Sequence, residues 1–319
     1  MSKKTKVLLV LAIILLTTAA GIEAVKLWSD KHYFDGYSAS TPLNPIIAAE
    51  SERPGYRRIE LSFEGLPGER IPTVLAVPLN SKGPAPCVIF LHGIGQDRRF
   101  LDEIAAPFTE AGFAMATFDQ YTRGERKLKD PGPLDAALAF RRRGALTVIE
   151  TRRLVDYLET RPDIAHNRIY LLGASYGAIT GSTAAAFEPR IRAAVLTYGG
   201  GNLRLLFRSR AGQSRLGAWS GAVQRVTAWL LAPADPVRYI AKIAPRPVLL
   251  QSGTGDALIP RESAEALYEA AREPKSITWY EGDHIGVDPA TVERVLDEAL
   301  NWIRHHDEQT ASIGEAAAP

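Results

Sequence analysis

Short apolar runs alternate with longer stretches of helical spacing from residue 87 almost to the end of the chain. This alternation predicts an α/β fold, in which a mostly parallel sheet is covered by helices on both faces. In such folds ligands bind where the strands end, so the residues that follow each run are the first candidates for function. The predicted strands are Cys87–Leu91, Phe113–Phe118, Ile169–Leu172, Ile191–Thr197, Val248–Gln251 and Ser276–Tyr280.

Two further strand-like runs precede this pattern and are separated by a turn. Arg57–Phe63 and Ile71–Val77 flank Gly65-Leu-Pro-Gly68, which predicts an antiparallel hairpin. The main domain is therefore expected to span residues 57–306. Residues 23–56 are interpreted as a linker, and the small, polar and alanine-rich residues 307–319 as a disordered tail.

One segment, residues 202–235, interrupts the alternation of strands and helices. It mixes arginines with leucines and the two tryptophans Trp219 and Trp229. We interpret it as a short helical lid inserted into the domain. An elaborated surface crossover without a role in binding is the alternative, because amphipathic composition does not place a helix over a pocket.

The N-terminus carries three lysines within six residues, followed by an uninterrupted apolar run. Residues 1–22 are therefore expected to be a signal peptide or an N-terminal membrane anchor. The apolar stretch 7–22 is shorter than the roughly 20 residues that comfortably span a bilayer, and small residues permit cleavage after Ala20. Tilting of an uncleaved helix would absorb this deficit. Both alternatives place the protein outside the cytoplasm, in the periplasm or the extracellular space.

Composition excludes several classes of function. Of the 319 residues, 46% are hydrophobic and 23% are charged, as in ordinary globular proteins. The net charge of +2 comes from the lysines of the leader. Arg141-Arg142-Arg143 is interpreted as a solvated loop or helix start, so nucleic acid is not an expected partner. The single cysteine, Cys87, is expected to be buried, and no sequence motif implies a metal or a cofactor.

The pentapeptide Gly173-Ala-Ser-Tyr-Gly177 lies between a predicted strand and a stretch of small residues. A G-x-S-x-G sequence at a sharp turn from strand to helix exposes the serine hydroxyl at the tip of the strand. The pentapeptide is a weak signal by itself, but its position between the two elements makes it specific. Ser175 is therefore the candidate nucleophile.

A serine nucleophile needs a general base and an acid that orients the base. Asp256 follows the strand Val248–Gln251 in a glycine-rich loop, and His284 lies in the turn after Ser276–Tyr280. They are the candidate acid and base. Asp283 and Asp288 are the alternatives for the acid. Asp283 is disfavoured because it directly precedes His284, and the side chains of adjacent residues diverge.

Oxyanion stabilisation requires backbone amides close to the serine. The turn His92-Gly-Ile-Gly95 follows the first parallel strand, so the amides of Ile94 and Tyr176 are the predicted donors. His92 is interpreted as a structural residue that braces this turn. Residues 96–99 and 121–126 follow neighbouring strands and are interpreted as solvated loops, with a place at the pocket mouth as the alternative.

Four segments together resemble the α/β-hydrolase superfamily across residues 57–304. They are His92–Gly95, Gly173–Gly177, Arg246–Asp256 and Gly282–His284. Residues 162–168 and 243–247 resemble the branch that includes dienelactone hydrolases, acetyl xylan esterases and prolyl oligopeptidases. The resemblance implies an α/β-hydrolase fold and a triad of Ser175, Asp256 and His284. Dienelactone hydrolases proper carry cysteine where this chain has Ser175, and the first 56 residues leave no room for the propeller of the oligopeptidases.

These features predict an exported serine hydrolase that cleaves carboxylic esters through an acyl-enzyme intermediate. The expected partner is a small-molecule ester, with attachment to a membrane through the N-terminal segment as an alternative to cleavage. A small serine peptidase or an acyltransferase of the same fold is the second interpretation. An inactive binding module that keeps the fold is the third.

Overall fold

A computed structural model describes residues 2–208, 220–285 and 289–316. The chain divides into two units, residues 1–35 and residues 36–319. Trp219 and Asp288, which the sequence analysis singled out, lie outside the described residues.

The first unit consists mainly of one helix, α1, at Lys3–Lys31. This helix has 29 residues, and an 18-residue window within it has a mean hydropathy of 2.4. No residue of the helix is buried. At 1.5 Å per residue, a helix of this length exceeds the roughly 30 Å hydrocarbon core of a bilayer. By length and composition α1 is a candidate membrane span, and an N-terminal signal sequence meets the same criteria.

A nine-stranded sheet forms the centre of the second unit, in the order β1-β2-β3-β5-β4-β6-β7-β8-β9. The first three strands and β5 pair antiparallel, and the five pairs from β5 to β9 are parallel. The predicted hairpin and the mostly parallel sheet are thus confirmed. The strands are β1 Ile46–Arg53, β2 Tyr56–Glu64, β3 Arg70–Pro78, β4 Ala85–Leu91, β5 Ala114–Phe118, β6 Ile164–Ala174, β7 Ile191–Thr197, β8 Val248–Gly253 and β9 Lys275–Tyr280.

Helices lie against this sheet and bury its apolar side chains. Leu101, Phe108 and Ile303 share one core cluster with the strand residues Phe90 and Val195, which places α2 and α8 on the same face. The described helices of the second unit are α2 Leu101–Glu110, α3 Pro133–Leu158, α4 Tyr176–Phe187, α5 Leu203–Leu206, α6 Ser220–Leu230, α7 Arg261–Ala270 and α8 Pro289–Ala316.

Two predicted segment boundaries are wrong. The proposed linker 23–56 contains the end of α1 and the whole of β1, which pairs with β2 from Ile46 opposite Ser62 to Arg53 opposite Tyr56. All eight residues of β1 are exposed, so no buried apolar face marks the strand in the sequence. The proposed tail 307–319 begins inside α8.

Asp307 shows why the helix extends past the predicted end of the domain. Its side chain is buried and accepts hydrogen bonds from Arg168 Nε at 2.7 Å and from the hydroxyl of Tyr170 at 2.8 Å. Because both partners lie on β6, Asp307 binds α8 to this strand.

Segment 202–235 is helical where it is described, with α5 and α6 inside it. The Asp235 carboxylate accepts from the amides of Asn202 and Leu203, at 3.0 and 2.9 Å, and so joins the two ends of the segment. None of its described residues lines the cavity at Ser175 that is described below. The lid role therefore stays a prediction.

Candidate active site

Ser175 lies between β6 and α4 in a strained backbone conformation, with φ 54° and ψ −115°. A positive φ is unfavourable for a residue with a Cβ atom and persists only where the surrounding structure enforces it. The two flanking glycines explain how the turn packs so closely. A Cβ atom on Gly173 would lie 2.4 Å from the carbonyl oxygen of Gly177, and one on Gly177 would lie 1.8 Å from the carbonyl oxygen of Leu91.

The structure brings the three predicted triad residues together across 109 residues of sequence. Ser175 Oγ lies 2.9 Å from His284 Nε2, and His284 Nδ1 lies 2.7 Å from Asp256 Oδ2. With the serine donating to Nε2 and Nδ1–H donating to the carboxylate, the histidine is held in the tautomer that a general base requires. The side chains of His284 and Asp256 are 12% and 2% exposed, so water has little access to the pair.

Parallel pairing accounts for this convergence. Ala174 pairs with Thr197 and Thr197 with Gln251, while Gly253 pairs with Tyr280. The carboxyl ends of β6, β7, β8 and β9 therefore meet at one edge of the sheet, and the loops that follow them carry the three side chains.

The two neighbouring carboxylates have different partners. Asp256 Oδ1 accepts from the amides of Leu258 and Ile259, both at 2.8 Å, while its Oδ2 faces the histidine. Asp283 Oδ1 accepts from the amides of Ala257 and His284, at 2.8 and 2.7 Å. Asp283 therefore connects the acid loop to the histidine loop, and Asp256 is the carboxylate bound to the imidazole ring. The other alternative, Asp288, lies outside the described residues.

The aromatic ring of Tyr198 packs edge-on against His284 with 5.6 Å between the ring centroids. Tyr198 is fully buried at the end of β7, and burial followed by the charge of Asp256 raises the pKa of its hydroxyl. The ring thus limits the orientations open to the imidazole. Sequence reasoning did not identify Tyr198, because a tyrosine after an apolar strand carries no distinctive signal.

The turn after β4 lies against the serine. A Cβ atom placed on Gly93 would lie 3.7 Å from Ser175 Cβ. The Gly93 amide donates to Gln96 Oε1 at 2.9 Å, so this amide is already occupied. The amides of Ile94 and Tyr176 make no hydrogen bond to another described residue. These are the two predicted oxyanion donors, and their role stays a prediction.

His92 is completely buried beneath this turn. Its Nδ1–H donates to the carbonyl of Gly93 at 2.9 Å, and its own carbonyl accepts from Gln120 Nε2 at 3.0 Å. Burial lowers the pKa of His92 to about 4, so the imidazole is neutral at physiological pH. Its Nε2 makes no hydrogen bond within the described part of the chain.

Arg143 is not solvated, contrary to the interpretation of the basic triplet 141–143. Its side chain is fully buried and donates to Gln120 Oε1 from Nε at 3.2 Å and from Nη2 at 2.8 Å. Nη1 donates to the carbonyl of Ile94 at 3.5 Å. Among the described residues no carboxylate lies within 4.0 Å of this guanidinium. A motif search misses Arg143 because its partners lie 23 and 49 residues away.

The two loops interpreted as solvated are largely tied into the protein. Arg98 forms an ion pair with the buried Asp119, and Arg126 donates to both oxygens of the buried Glu150 at 2.8 and 2.7 Å. Gln96 reaches the cavity at Ser175. The two loops, which follow β4 and β5, are therefore held by contacts within the protein. The interpretation as solvated loops is wrong for the side chains of Arg98 and Arg126.

A cavity of about 280 Å³ opens beside Ser175 and His284. It extends between the ends of β4 and β6 on one side and helices α2 and α8 on the other, with Phe90, Ile104, Leu172 and Leu296 in its walls. Among the described lining residues none is an aspartate, glutamate, lysine or arginine. The site is thus a hydrogen-bonded serine, histidine and aspartate at the mouth of an apolar cavity.

Comparison with known proteins identifies the family of this chain. The dienelactone hydrolase family matches residues 71–306. Esterase YjfP of Escherichia coli (strain K12) is 26% identical over 251 residues, which are 74% of this chain and 95% of the relative.

Solved structures share the fold at low sequence identity. The acetyl xylan esterase from Paenibacillus sp. R4 has a TM-score of 0.67 at 17% identity, covering 86% of this chain and 93% of that chain. Acetyl xylan esterase 1 from Thermoanaerobacterium sp. JW/SL YS485 has a TM-score of 0.64 at 19% identity, covering 85% and 93%. Since the family match spans residues 71–306, which are most of the chain, the chain belongs to the dienelactone hydrolase family and is a hydrolase of the esterase type.

Proposed function

We propose that the protein is a serine hydrolase that cleaves carboxylic esters through an acyl-enzyme on Ser175. The observation that carries the proposal is the continuous chain of hydrogen bonds from Ser175 through His284 to Asp256, at a serine held with φ 54°. A serine hydroxyl becomes an effective nucleophile when such a base removes its proton.

The reaction would follow from the positions of the three side chains. Ser175 Oγ attacks the acyl carbon while His284 Nε2 takes the hydroxyl proton, and Asp256 stabilises the resulting imidazolium. The proton then passes to the alkoxide that leaves, which departs as the alcohol. Water attacks the acyl-enzyme while His284 takes its proton, and the bond between Ser175 Oγ and the acyl carbon then breaks. His284 returns the proton to Ser175, and the carboxylic acid is released. The amides of Ile94 and Tyr176 would donate to the oxyanion in both steps.

Family membership and the likeness to an esterase support an ester as the substrate. A peptidase or an acyltransferase would use the same acyl-enzyme and differ in the leaving group or in the acceptor. An inactive binding module would keep the fold without a reactive serine.

Labelling and turnover together test the proposal. We expect a fluorophosphonate to label Ser175, p-nitrophenyl butanoate to show a burst of nitrophenol equal to the enzyme concentration, and Ser175→Ala to abolish both. Loss of the serine should cost about 10⁶ in kcat. Turnover of aminoacyl amides alone would identify a peptidase. Transfer of the acyl group to an added alcohol in preference to water would identify an acyltransferase. Undiminished ester hydrolysis by Ser175→Ala would refute the mechanism.

We also propose that α1 directs export of the hydrolase domain. Three lysines at its start and the exposed apolar surface along its length support this proposal. Protease added to intact spheroplasts should digest the domain, and a variant without residues 1–31 should stay protected inside the cells. The mass of the exported protein then distinguishes a cleaved signal from a retained anchor.

A further inference from the structure

The cavity beside Ser175 is lined almost entirely by carbon. Its lining includes Phe100 and Ile104 at the start of α2, Leu296 of α8, and Phe90 and Leu172 of β4 and β6. Phe90, Ile104 and Leu172 are core residues, 2%, 4% and 1% exposed, and Phe100 and Leu296 pack against the same core cluster. The cavity therefore ends at the hydrophobic core.

Two of the polar side chains in the lining make hydrogen bonds within the protein. Thr197 Oγ1 donates to Gln251 Oε1 at 2.7 Å, and Gln96 Oε1 accepts from the amide of Gly93. Apart from these two, only Ser175 and His284 bring side-chain polar atoms to the described lining, and both face each other at the mouth. A sugar or a charged group placed in this cavity would lose its hydration and gain few hydrogen-bond partners, which is costly.

A cavity that ends at the hydrophobic core suits one half of an ester better than the other. The alcohol must leave after acylation and water must then reach the acyl carbon, so the leaving group needs an open route. The acyl group stays covalently attached to Ser175 until deacylation. The apolar cavity therefore fits the acyl chain, and the solvent side of His284 fits the alcohol.

We propose that this cavity is an acyl-chain site and that the substrates are esters of aliphatic acids longer than acetate. The inference rests on the serine esterase function proposed above and adds the chemical class of the acyl group. A cavity of about 280 Å³ lies near the lower end of the range for small-molecule sites, which favours chains of intermediate length.

The test compares p-nitrophenyl esters from acetate to dodecanoate with the full-length protein. Each methylene moved from water into the cavity should raise kcat/KM about fourfold, from acetate through hexanoate, until the cavity is full. Leu296→Phe should shift the optimum to a shorter chain and Leu296→Ala to a longer one. Asp297→Ala, an exposed neighbour on α8, should leave the profile unchanged.

The outcomes separate the two proposals. If Ser175-dependent activity is highest on acetate and both Leu296 variants keep the wild-type profile, the acyl-chain site is refuted while the esterase function stands. If no ester gives Ser175-dependent turnover, the esterase function itself fails. If KM and kcat/KM of the Leu296 variants change with the length of the acyl chain, the acyl-chain site is supported. A loss of folded protein would instead lower the activity on all esters by the same factor.

Discussion

The guanidinium carbon of Arg143 lies 4.3 Å from the centroid of the Tyr176 ring. Both side chains are buried, and burial lowers the pKa of Arg143 to about 10 and raises the pKa of Tyr176 to about 12. At neutral pH a cation thus rests on a neutral aromatic face, an arrangement that is strongest when water is excluded. Since Nη1 also reaches the Ile94 carbonyl, one side chain contacts both residues that carry the predicted oxyanion donors.

We expect Arg143 to be a positioning residue for the oxyanion site. Arg143→Met removes the donors to Gln120 and Ile94, so the turn after β4 should lose its fixed distance from Tyr176. A displacement of about 1 Å in such a site costs up to about 10² in rate, and we expect kcat/KM for p-nitrophenyl butanoate to fall by about tenfold to hundredfold. Arg143→Lys should restore little, because an ammonium cannot reproduce a planar guanidinium on a ring.

Affinity for an alkyl boronic acid, which mimics the tetrahedral intermediate, separates positioning from stability. It should weaken in Arg143→Met by more than KM rises. Arg142→Met is the matched control, since Arg142 is half-exposed and contacts Glu69 at the surface. A variant that melts earlier but binds the boronic acid normally would show that Arg143 is merely structural.

The glycines of the elbow give a second prediction. Gly177→Ala places a methyl group 1.8 Å from the backbone oxygen of Leu91, and neither backbone can move without disrupting β4. We expect a loss of at least about 3 kcal/mol in the free energy of unfolding, measured by urea titration, or no soluble protein.

Gly181→Ala, one turn later in α4, provides the comparison. Its added Cβ meets the end of the Leu171 side chain at 2.9 Å, which another rotamer relieves. We expect a change within about 1 kcal/mol, because alanine's helix propensity offsets the crowding. Equal effects of the two substitutions would contradict the close backbone packing of the elbow.

The triad candidates were identifiable from sequence because each follows a predicted strand in a short glycine-containing loop. Parallel strands bring such loops to one edge whatever their separation along the chain. Arg143 was not identifiable, because the sequence does not distinguish a buried arginine with amide and carbonyl partners from an arginine at a helix surface. Strand β1 was missed for a related reason, since an edge strand exposed at every position has no apolar alternation to detect.

A third prediction concerns the two carboxylates next to His284. Asp256→Asn should lower kcat by about 10⁴ while leaving the fold intact, because an amide no longer holds the imidazole in its catalytic tautomer. Asp283→Ala removes the link between the acid and histidine loops. We expect kcat to fall about tenfold, which corresponds to a loss of about 1.4 kcal/mol in transition-state stabilisation. Single-turnover acylation rates measure both. Losses of equal size would mean that Asp283 shares the orienting role.

A fourth prediction follows from the neutral, buried His92. The pKa of His92 is about 4 in the folded protein and 6.5 for the ordinary side chain, so between these values the unfolded chain binds the additional proton. Its contribution to stability is therefore complete above pH 6.5 and is lost as the pH falls to 4, by about 3 kcal/mol in total. His92→Asn removes this titration, and other acidic groups contribute equally to both proteins. The difference in urea-unfolding free energy between wild type and variant should fall by about 3 kcal/mol from pH 7 to pH 4. Parallel stability curves over this range would mean that His92 takes up its proton in the folded protein, and therefore that water reaches the space beneath the turn after β4.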